Sequence, residues 1–215
     1  MTATTAAPTA TAAPSDTPQP TATATITVTP TPSVLTVTPK EGDIPCRYGP
    51  GRQYSVENAL LAGKIVPVQG RDDAAAWIKI EHPSRPGWNC WIEAAAAMVD
   101  GDLARAPVVA APEAFVESVF IATHSVVLRG ANCIFPRSFE VIFYMTTNGP
   151  ARVVFQRARN GAFTPAETTV FPYADTKQYV NVYTLSGPGD YSIAVVVSSP
   201  NGVSEAKEFS VTCAP

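Results

Sequence analysis

Short runs of alternating apolar and polar residues, separated by turn-forming dipeptides, constrain the fold of this chain more than any other feature. The alternation is longest over residues 139–146 and 191–198, where one side of each run is apolar throughout. Asn-Gly pairs, which favour hairpin turns, follow such runs at Asn148-Gly149, Asn160-Gly161 and Asn201-Gly202. About seven runs in roughly a hundred residues predict a two-sheet β-sandwich over residues 113–215.

The last hairpin of this region carries a more specific pattern. Residues 187–195 are Gly-Pro-Gly-Asp-Tyr-Ser-Ile-Ala-Val, and the turn Asn201-Gly202 follows them. This run resembles the final hairpin of immunoglobulin-like domains, although the Cys…Trp…Cys arrangement of antibody domains is absent. The resemblance implies an immunoglobulin-like sandwich, an architecture that serves spacers and adhesive modules alike and does not by itself assign a function.

Residues 42–100 carry a second set of short apolar runs, separated by glycine and proline. The runs lie around residues 65–69, 77–80 and 87–92, and turn residues separate them. The segment Gly49-Pro50-Gly51 forces a tight, irregular loop, because glycine accepts positive φ and proline fixes its own φ. Short strands at this spacing predict a small β-barrel.

The order of these motifs resembles that of the bacterial Src-homology-3-like domains. Their usual run is Asn-Val-Arg-x-Gly-Pro-Gly-x-x-Tyr, then Leu-x-x-Gly, a central Gly-Arg, Trp-x-x-Ile/Val and a closing Gly-Trp-Val. The matching residues here are 46–54, 60–63, 70–71, 77–80 and 87–88. The resemblance implies an exported protein whose barrel binds peptidoglycan or another wall or surface ligand, or targets a neighbouring enzyme.

Strand alternation within the barrel gives a hypothesis for a ligand site. Side chains alternate along a strand, so Trp77 points outward if Ile78 and Ile80 point inward. In the same way, Trp91 points outward if Cys90 and Ile92 point inward. In Src-homology-3-like barrels an aromatic groove lies on this outer face, and flat rings suit sugars or extended peptides. The predicted ligand-binding residues are Trp77 and Trp91, flanked by Tyr48 and Tyr54. The alternative is that these aromatic side chains only cap a small core.

The four cysteines, Cys46, Cys90, Cys133 and Cys213, allow three disulfide connectivities. The division into two domains places two cysteines in each, and it therefore favours Cys46–Cys90 and Cys133–Cys213. The resemblance also implies a bridge across the barrel, because Cys46 replaces an inward-facing valine of the family. The strand pattern around Phe209 and Val211 turns Cys213 inward as well. Disulfides indicate an oxidising compartment, whereas four reduced thiols would place the protein in the cytosol.

Residues 1–41 consist almost entirely of Thr, Ala and Pro, which provide no large side chains to bury. We therefore expect a disordered, extended stalk. Its β-branched stretches at residues 25–29 and 34–38 leave an alternative open, in which residues 24–38 add a strand to a neighbouring copy. Residues 101–112 are expected to be a short linker between the barrel at 42–100 and the sandwich.

Composition and motifs exclude several classes of function. A net charge of −3 without a basic cluster argues against nucleic-acid binding, and no apolar stretch is long enough to cross a membrane. Met1-Thr2-Ala3-Thr4 lacks the basic and apolar regions of a signal peptide, so whether a leader or anchor precedes Met1 stays open. No spacing typical of a metal site, cofactor loop or nucleophile elbow occurs, and only His82 and His124 are available as neutral-pH bases.

The sequence thus predicts a non-catalytic, extracytoplasmic protein, secreted or tethered to the cell surface. The barrel would recognise cell-wall, glycan or extended-peptide ligands without a cofactor or metal, and the stalk would provide reach. The alternative is a structural subunit of a surface fibre or layer, assembled through the β-branched N-terminal segments.

Overall fold

The computed structural model describes residues 1–3 and 34–215, and residues 34–215 lie in one compact unit. These residues form an all-β fold of sixteen strands, with single-turn 3-10 helices at Ala94–Ala96, Leu103–Arg105 and Gly130–Asn132. None of the described helices has the length and apolar character needed to cross a membrane. The expected disorder of the Thr/Pro segment concerns residues that lie mainly outside the described ranges.

The N-terminal lobe, residues 34–109, is a seven-stranded sheet in the order β3-β2-β6-β5-β4-β1-β7. All pairings in it are antiparallel. The strands are β1 (Thr36–Pro39), β2 (Ile44–Arg47), β3 (Val56–Leu60), β4 (Val66–Arg71), β5 (Trp77–Glu81), β6 (Asn89–Glu93) and β7 (Ala97–Asp100). Apolar residues with almost no exposure pack on one side of it: Val37, Ile44, Cys46, Leu60, Ile78, Ile80, Cys90, Ile92 and Ala97. The prediction that Ile78 and Ile80 of β5 and Cys90 and Ile92 of β6 point into the core is correct.

The boundary predicted at residue 41 is wrong, because the chain enters this lobe earlier. Strand β1 pairs with β4 on one side and with β7 on the other, and Val37 lies buried in the core. With both edges of β1 occupied, residues 36–38 cannot add a strand to a neighbouring copy in this fold. Residues 24–33, the rest of the segment for which that role was considered, lie outside the described residues.

The segment predicted to be a linker is also part of the packed structure. The backbone N–H of Arg71 donates to the carbonyl of Pro107 at 2.9 Å, and the N–H of Val109 donates to the carbonyl of Arg71 at 2.8 Å. A side chain on Gly70 would come within 2.5 Å of a Val109 methyl group, so the two backbones approach closely. The connection therefore lies against β4 and is not a free spacer.

The C-terminal lobe, residues 113–215, is a sandwich of two sheets. One sheet has the order β14-β10-β8, and the other has the order β12-β11-β15-β16-β9, with β13 also paired to β11. The strands are β8 (Val116–Ala122), β9 (Val126–Arg129), β10 (Arg137–Thr147), β11 (Ala151–Arg159), β12 (Ala162–Phe163), β13 (Glu167–Phe171), β14 (Asp175–Leu185), β15 (Gly189–Ser199) and β16 (Val203–Ala214). The chain changes sheets between β8 and β9, and β9 then runs parallel to the final strand. This is an immunoglobulin-like arrangement, with nine strands where about seven were expected.

A single apolar core lies between the two sheets, and the alternation in the sequence predicts which residues enter it. Val141, Phe143 and Met145 of β10 are buried, as are Ile193, Val195 and Val197 of β15. The three Asn-Gly pairs follow β10, β11 and β15, as the turn chemistry predicts. The alternation therefore locates both the strands and their inner faces correctly.

Both predicted disulfides are present. Cys46–Cys90 and Cys133–Cys213 have Cα–Cα separations of 5.5 and 5.7 Å, within the usual range for a bridge, and no cysteine is free. The inward position expected for Cys213 is wrong: it is exposed near the end of β16, beyond the buried Val211. Two disulfides indicate an oxidising, extracytoplasmic environment.

Candidate functional site

Strands β5 and β6 present an outer face that carries two of the four predicted ligand residues. Trp77 is directly opposite Glu93, and Lys79 is directly opposite Trp91. Opposite residues in an antiparallel pair project to the same side, so both tryptophans lie on this face, as predicted. They occupy diagonal positions on two adjacent strands.

The exposure expected for Trp91 is wrong, because only 2% of this residue is accessible to solvent. Strand β6 lies between β2 and β5, and Trp91 is opposite Arg47 on one side and Lys79 on the other. Arg47 Nη1 donates to the carbonyl of Tyr54 at 2.8 Å, which holds the guanidinium against the loop after β2. Long side chains with apolar stems cover neighbouring apolar surface in this way. Trp91 is therefore part of the packing beneath the site and is not a ligand surface.

Trp77 is partly exposed and borders a cleft of about 250 Å³. The charged residues that line the cleft come from three parts of the N-terminal lobe: Glu41, Asp43, Arg47, Arg52 and Glu93. The guanidinium of Arg52 pairs with the Glu93 carboxylate at 3.1 Å on an exposed rim, where such a pair adds little stability. A flat indole beside fixed charges of both signs can stack on a sugar or peptide plane and hydrogen-bond its polar groups.

Tyr48 and Tyr54 do not flank this cleft as an open groove. The Tyr48 hydroxyl donates to the carbonyl of Glu113 at 3.2 Å, and its ring meets Phe115 edge-on with centroids 5.5 Å apart. Tyr54 is 8% exposed, and its hydroxyl lies 3.5 Å from the carbonyl of Pro112. The two tyrosines therefore contact residues 112–115 of the same chain. This contact is the seam between the lobes.

Asn148 and Gly149 also belong to the seam, and their role was not predicted. The backbone N–H of Ser55 donates to the Asn148 carbonyl at 2.9 Å, and the Asn148 side-chain oxygen accepts from the N–H of Phe115 at 2.8 Å. A side chain on Gly149 would come within 2.6 Å of the Tyr54 ring. Glycine is thus required by a contact with the other lobe. In the sequence, the same dipeptide signals only a hairpin turn.

Three tyrosines, one in the seam and two in the sandwich, lead to a prediction about stability at alkaline pH. Burial, and secondarily the charge on Tyr48, raises the pKa of Tyr54 above its ordinary value of about 10; burial also raises the pKa of Tyr179 and of Tyr183. Above about pH 10 the unfolded chain loses these protons first, so the folded state is stabilised fully below that pH and progressively less above it. The urea concentration at the unfolding midpoint should therefore decrease as the pH is raised above about 10.

The variant Tyr54→Phe tests this assignment, because it removes one of the three raised groups and keeps the ring. Its urea midpoint should fall less steeply with pH than that of the original chain. An equally steep fall in both proteins would show that the Tyr54 hydroxyl has the same pKa in the folded and the unfolded chain.

The two histidines lie in different lobes. His82 is buried after β5, whereas His124 is exposed between β8 and β9. Within the described ranges, no three histidine, cysteine or carboxylate side chains are grouped as a metal site requires.

No known protein family matches the chain, and no curated protein is similar to it in sequence. Among solved structures, the chain is similar to the CARDB domain of a Pyrococcus furiosus protein determined in complex with di-metal ions. The identity is 14% and the TM-score 0.35, over 45% of this chain and 94% of that domain. It is also similar to a beta-glucosidase from Listeria innocua, with 11% identity and a TM-score of 0.34, over 61% of this chain but 19% of the enzyme. Similarities this weak do not indicate a function for this chain.

Proposed function

We propose that this chain is a non-catalytic, extracytoplasmic binding protein that holds a cell-wall glycan, another glycan or an extended peptide in the cleft at Trp77. The observation that carries the proposal is the partly exposed indole of Trp77 on the central part of a sheet, beside a cleft lined by charges of both signs. Sites on sheets are positioned more firmly than sites on loops, which favours selective binding. The motif order that resembles Src-homology-3-like domains supports the same class of ligand.

Two parts of this proposal, the extracytoplasmic location of the protein and its lack of catalytic activity, are argued from the cysteines. Two disulfides suit an exported protein, and we propose that it is secreted or held at the cell surface. Because both bridges use all four cysteines, the chain provides no thiol nucleophile. The hydrogen-bonded seam between the lobes fits a display role, since its contacts would hold the cleft in a defined position on the C-terminal lobe.

The variant Trp77→Ala should bind purified peptidoglycan sacculi roughly 30-fold more weakly than the original chain, the loss expected of an aromatic anchor at the centre of a site. The matched control is Trp88→Ala, because Trp88 is 63% exposed and does not line the cleft. Co-sedimentation of the full chain with sacculi measures both affinities. Parallel titrations with soluble glycans and with wall-derived peptides then separate the two ligand classes.

Three outcomes of this experiment count against the proposal. They are an equal loss in both variants, an unchanged affinity in Trp77→Ala, and no binding by the original chain to sacculi, glycans or peptides. Thermal melts of both variants should match that of the original chain, since neither tryptophan belongs to the buried core.

A further inference from the structure

The sheet that carries Trp77 leaves no free strand edge beside this residue. Strand β5 is paired with β4 on one side and with β6 on the other, and β6 is also paired with β2. An extended peptide that adds a strand to a sheet needs a free edge, because its main chain provides the hydrogen bonds that give affinity. Peptide binding by strand addition is therefore not available at this cleft.

The cleft is also small and contains a single aromatic ring. Its volume of about 250 Å³ is below the roughly 300–1,000 Å³ of sites that enclose drug-sized ligands. Trp77 is the one aromatic residue among the described residues that line it, since Trp91 is buried and the two tyrosines lie in the seam. Proline-rich peptides bind in grooves lined by aromatic side chains, whereas one indole can stack on one sugar ring. The geometry thus favours a glycan over a peptide.

The two cations that line the cleft are engaged within the chain. Arg47 Nη1 donates to the carbonyl of Tyr54 at 2.8 Å. Arg52 Nη2 donates to both oxygens of the Glu93 carboxylate, at 3.1 and 3.2 Å. Of the described lysines and arginines, none lies over the Trp77 ring. The face of this indole is therefore open to a cation from outside the chain.

Two carboxylates of the cleft remain without a cation. Within the part of the chain that the structure describes, neither Glu41 nor Asp43 takes part in an ion pair. One Asp43 oxygen accepts from the N–H of Ala62 at 2.8 Å, and the other oxygen can still accept. Both side chains are exposed, in a cleft lined by three carboxylates and two guanidinium groups. The cleft thus presents uncompensated negative charge next to an open aromatic face.

An ammonium group is attracted by both features, by the carboxylates through its charge and by the indole through the quadrupole of the ring. Among sugars, an amino sugar whose nitrogen is not acetylated provides such a group once it is protonated. We propose that the Trp77 cleft binds a glycan through a residue with a free amino group, whose ammonium donates to Glu41 and Asp43. The amino-sugar assignment rests on the function proposed above and narrows it to one ligand class.

Isothermal titration calorimetry of the full chain with two tetrasaccharides tests the assignment. One is a β-1,4-linked glucosamine tetramer, and the other is its fully N-acetylated counterpart, which keeps the sugar rings and loses the charges. At mildly acidic pH, where the sugar amine is protonated, the chain should bind the glucosamine tetramer about ten-fold more tightly. This preference should shrink as NaCl is raised from roughly 50 to 500 mM, because salt screens exposed charges.

Two double variants with the same change in net charge locate the preference. Glu41→Gln, Asp43→Asn should bind the two tetramers with similar affinity, because the acceptors for the ammonium are gone. The matched control is Asp190→Asn, Glu208→Gln, in which two exposed carboxylates are removed from the C-terminal lobe. The control should keep the preference of the original chain.

Four outcomes would contradict the amino-sugar assignment. Equal affinity of the original chain for the two tetramers, with both affinities lost in Trp77→Ala, would overturn it and leave a glycan site at Trp77. An equal effect of the two double variants would trace the preference to net charge alone. Tighter binding of the tripeptide Ala-Lys-Ala than of the glucosamine tetramer would assign the cleft to peptides. Failure to bind either tetramer would overturn the assignment alone if the chain still binds sacculi, and the proposed function as well if it does not.

Discussion

Replacing Cys46 and Cys90 together by alanine should lower the free energy of unfolding by roughly 5 kcal/mol. The sequence separation of 44 residues accounts for about 4 kcal/mol through the entropy that the bridge removes from the unfolded chain. The remainder comes from packing, because both cysteines are completely buried among Ile78, Ile80 and Ile92, and alanine leaves a cavity there. Against a typical total of 5–15 kcal/mol, such a loss leaves the fold barely stable.

The double variant Cys133→Ala, Cys213→Ala is the matched control, and it separates the two contributions. Its bridge spans 80 residues, so chain entropy alone predicts a slightly larger loss, about 4.5 kcal/mol. Cys213 is exposed, however, so little is lost from packing. Urea unfolding of both variants should therefore show the greater loss for Cys46 and Cys90. The opposite order would mean that core packing around that bridge contributes less than about 0.5 kcal/mol, the difference between the two entropy terms.

Alternation within a strand could be predicted from the sequence because it is a local property. The side to which Ile78, Cys90 or Phe143 points follows from the two-residue period alone, and these residues are buried as expected. The pairing of the cysteines followed in turn from the two sets of strands. The first inference needed only residues close together in the chain, and the second needed only the division of the chain into two sets of strands.

Trp91 shows where local periodicity stops being sufficient. The outward direction predicted for Trp91 was correct, but its burial depends on Arg47, which lies on a neighbouring strand far away in the sequence and is held by the loop that ends at Tyr54. Strand β1 shows the same limit, since its Thr- and Val-rich composition continues that of the preceding segment. Only the partners β4 and β7 distinguish it from a linker.

Replacing Tyr54 by alanine should disconnect the two lobes and lower the free energy of unfolding by roughly 3–5 kcal/mol, the usual cost of removing a buried aromatic ring. The ring is packed against Gly149 of the C-terminal lobe and Gly49 of its own loop. We expect the original chain to unfold in one calorimetric transition and this variant in two, because each lobe has its own core and the seam joins them. Tyr54→Phe is the control: it loses only the 3.5 Å contact of the hydroxyl and should keep one transition.

A double-mutant cycle with Gly149→Ala shows whether the ring acts through this contact. The φ angle of Gly149 is not positive, so alanine is acceptable to the backbone, and its cost arises from the Cβ atom 2.6 Å from the Tyr54 ring. Such overpacking should cost about 1–3 kcal/mol in the original chain. In the Tyr54→Ala background the obstructing ring is gone, and the nearest remaining atom is the Ala114 methyl carbon at 3.0 Å, so the cost should fall to a fraction of its original value. If Gly149→Ala costs the same in both backgrounds, the glycine is required for another reason, and the lobes are joined by other contacts of the seam, such as the backbone hydrogen bonds from Ser55 to Asn148 and from Ala174 to Gln53.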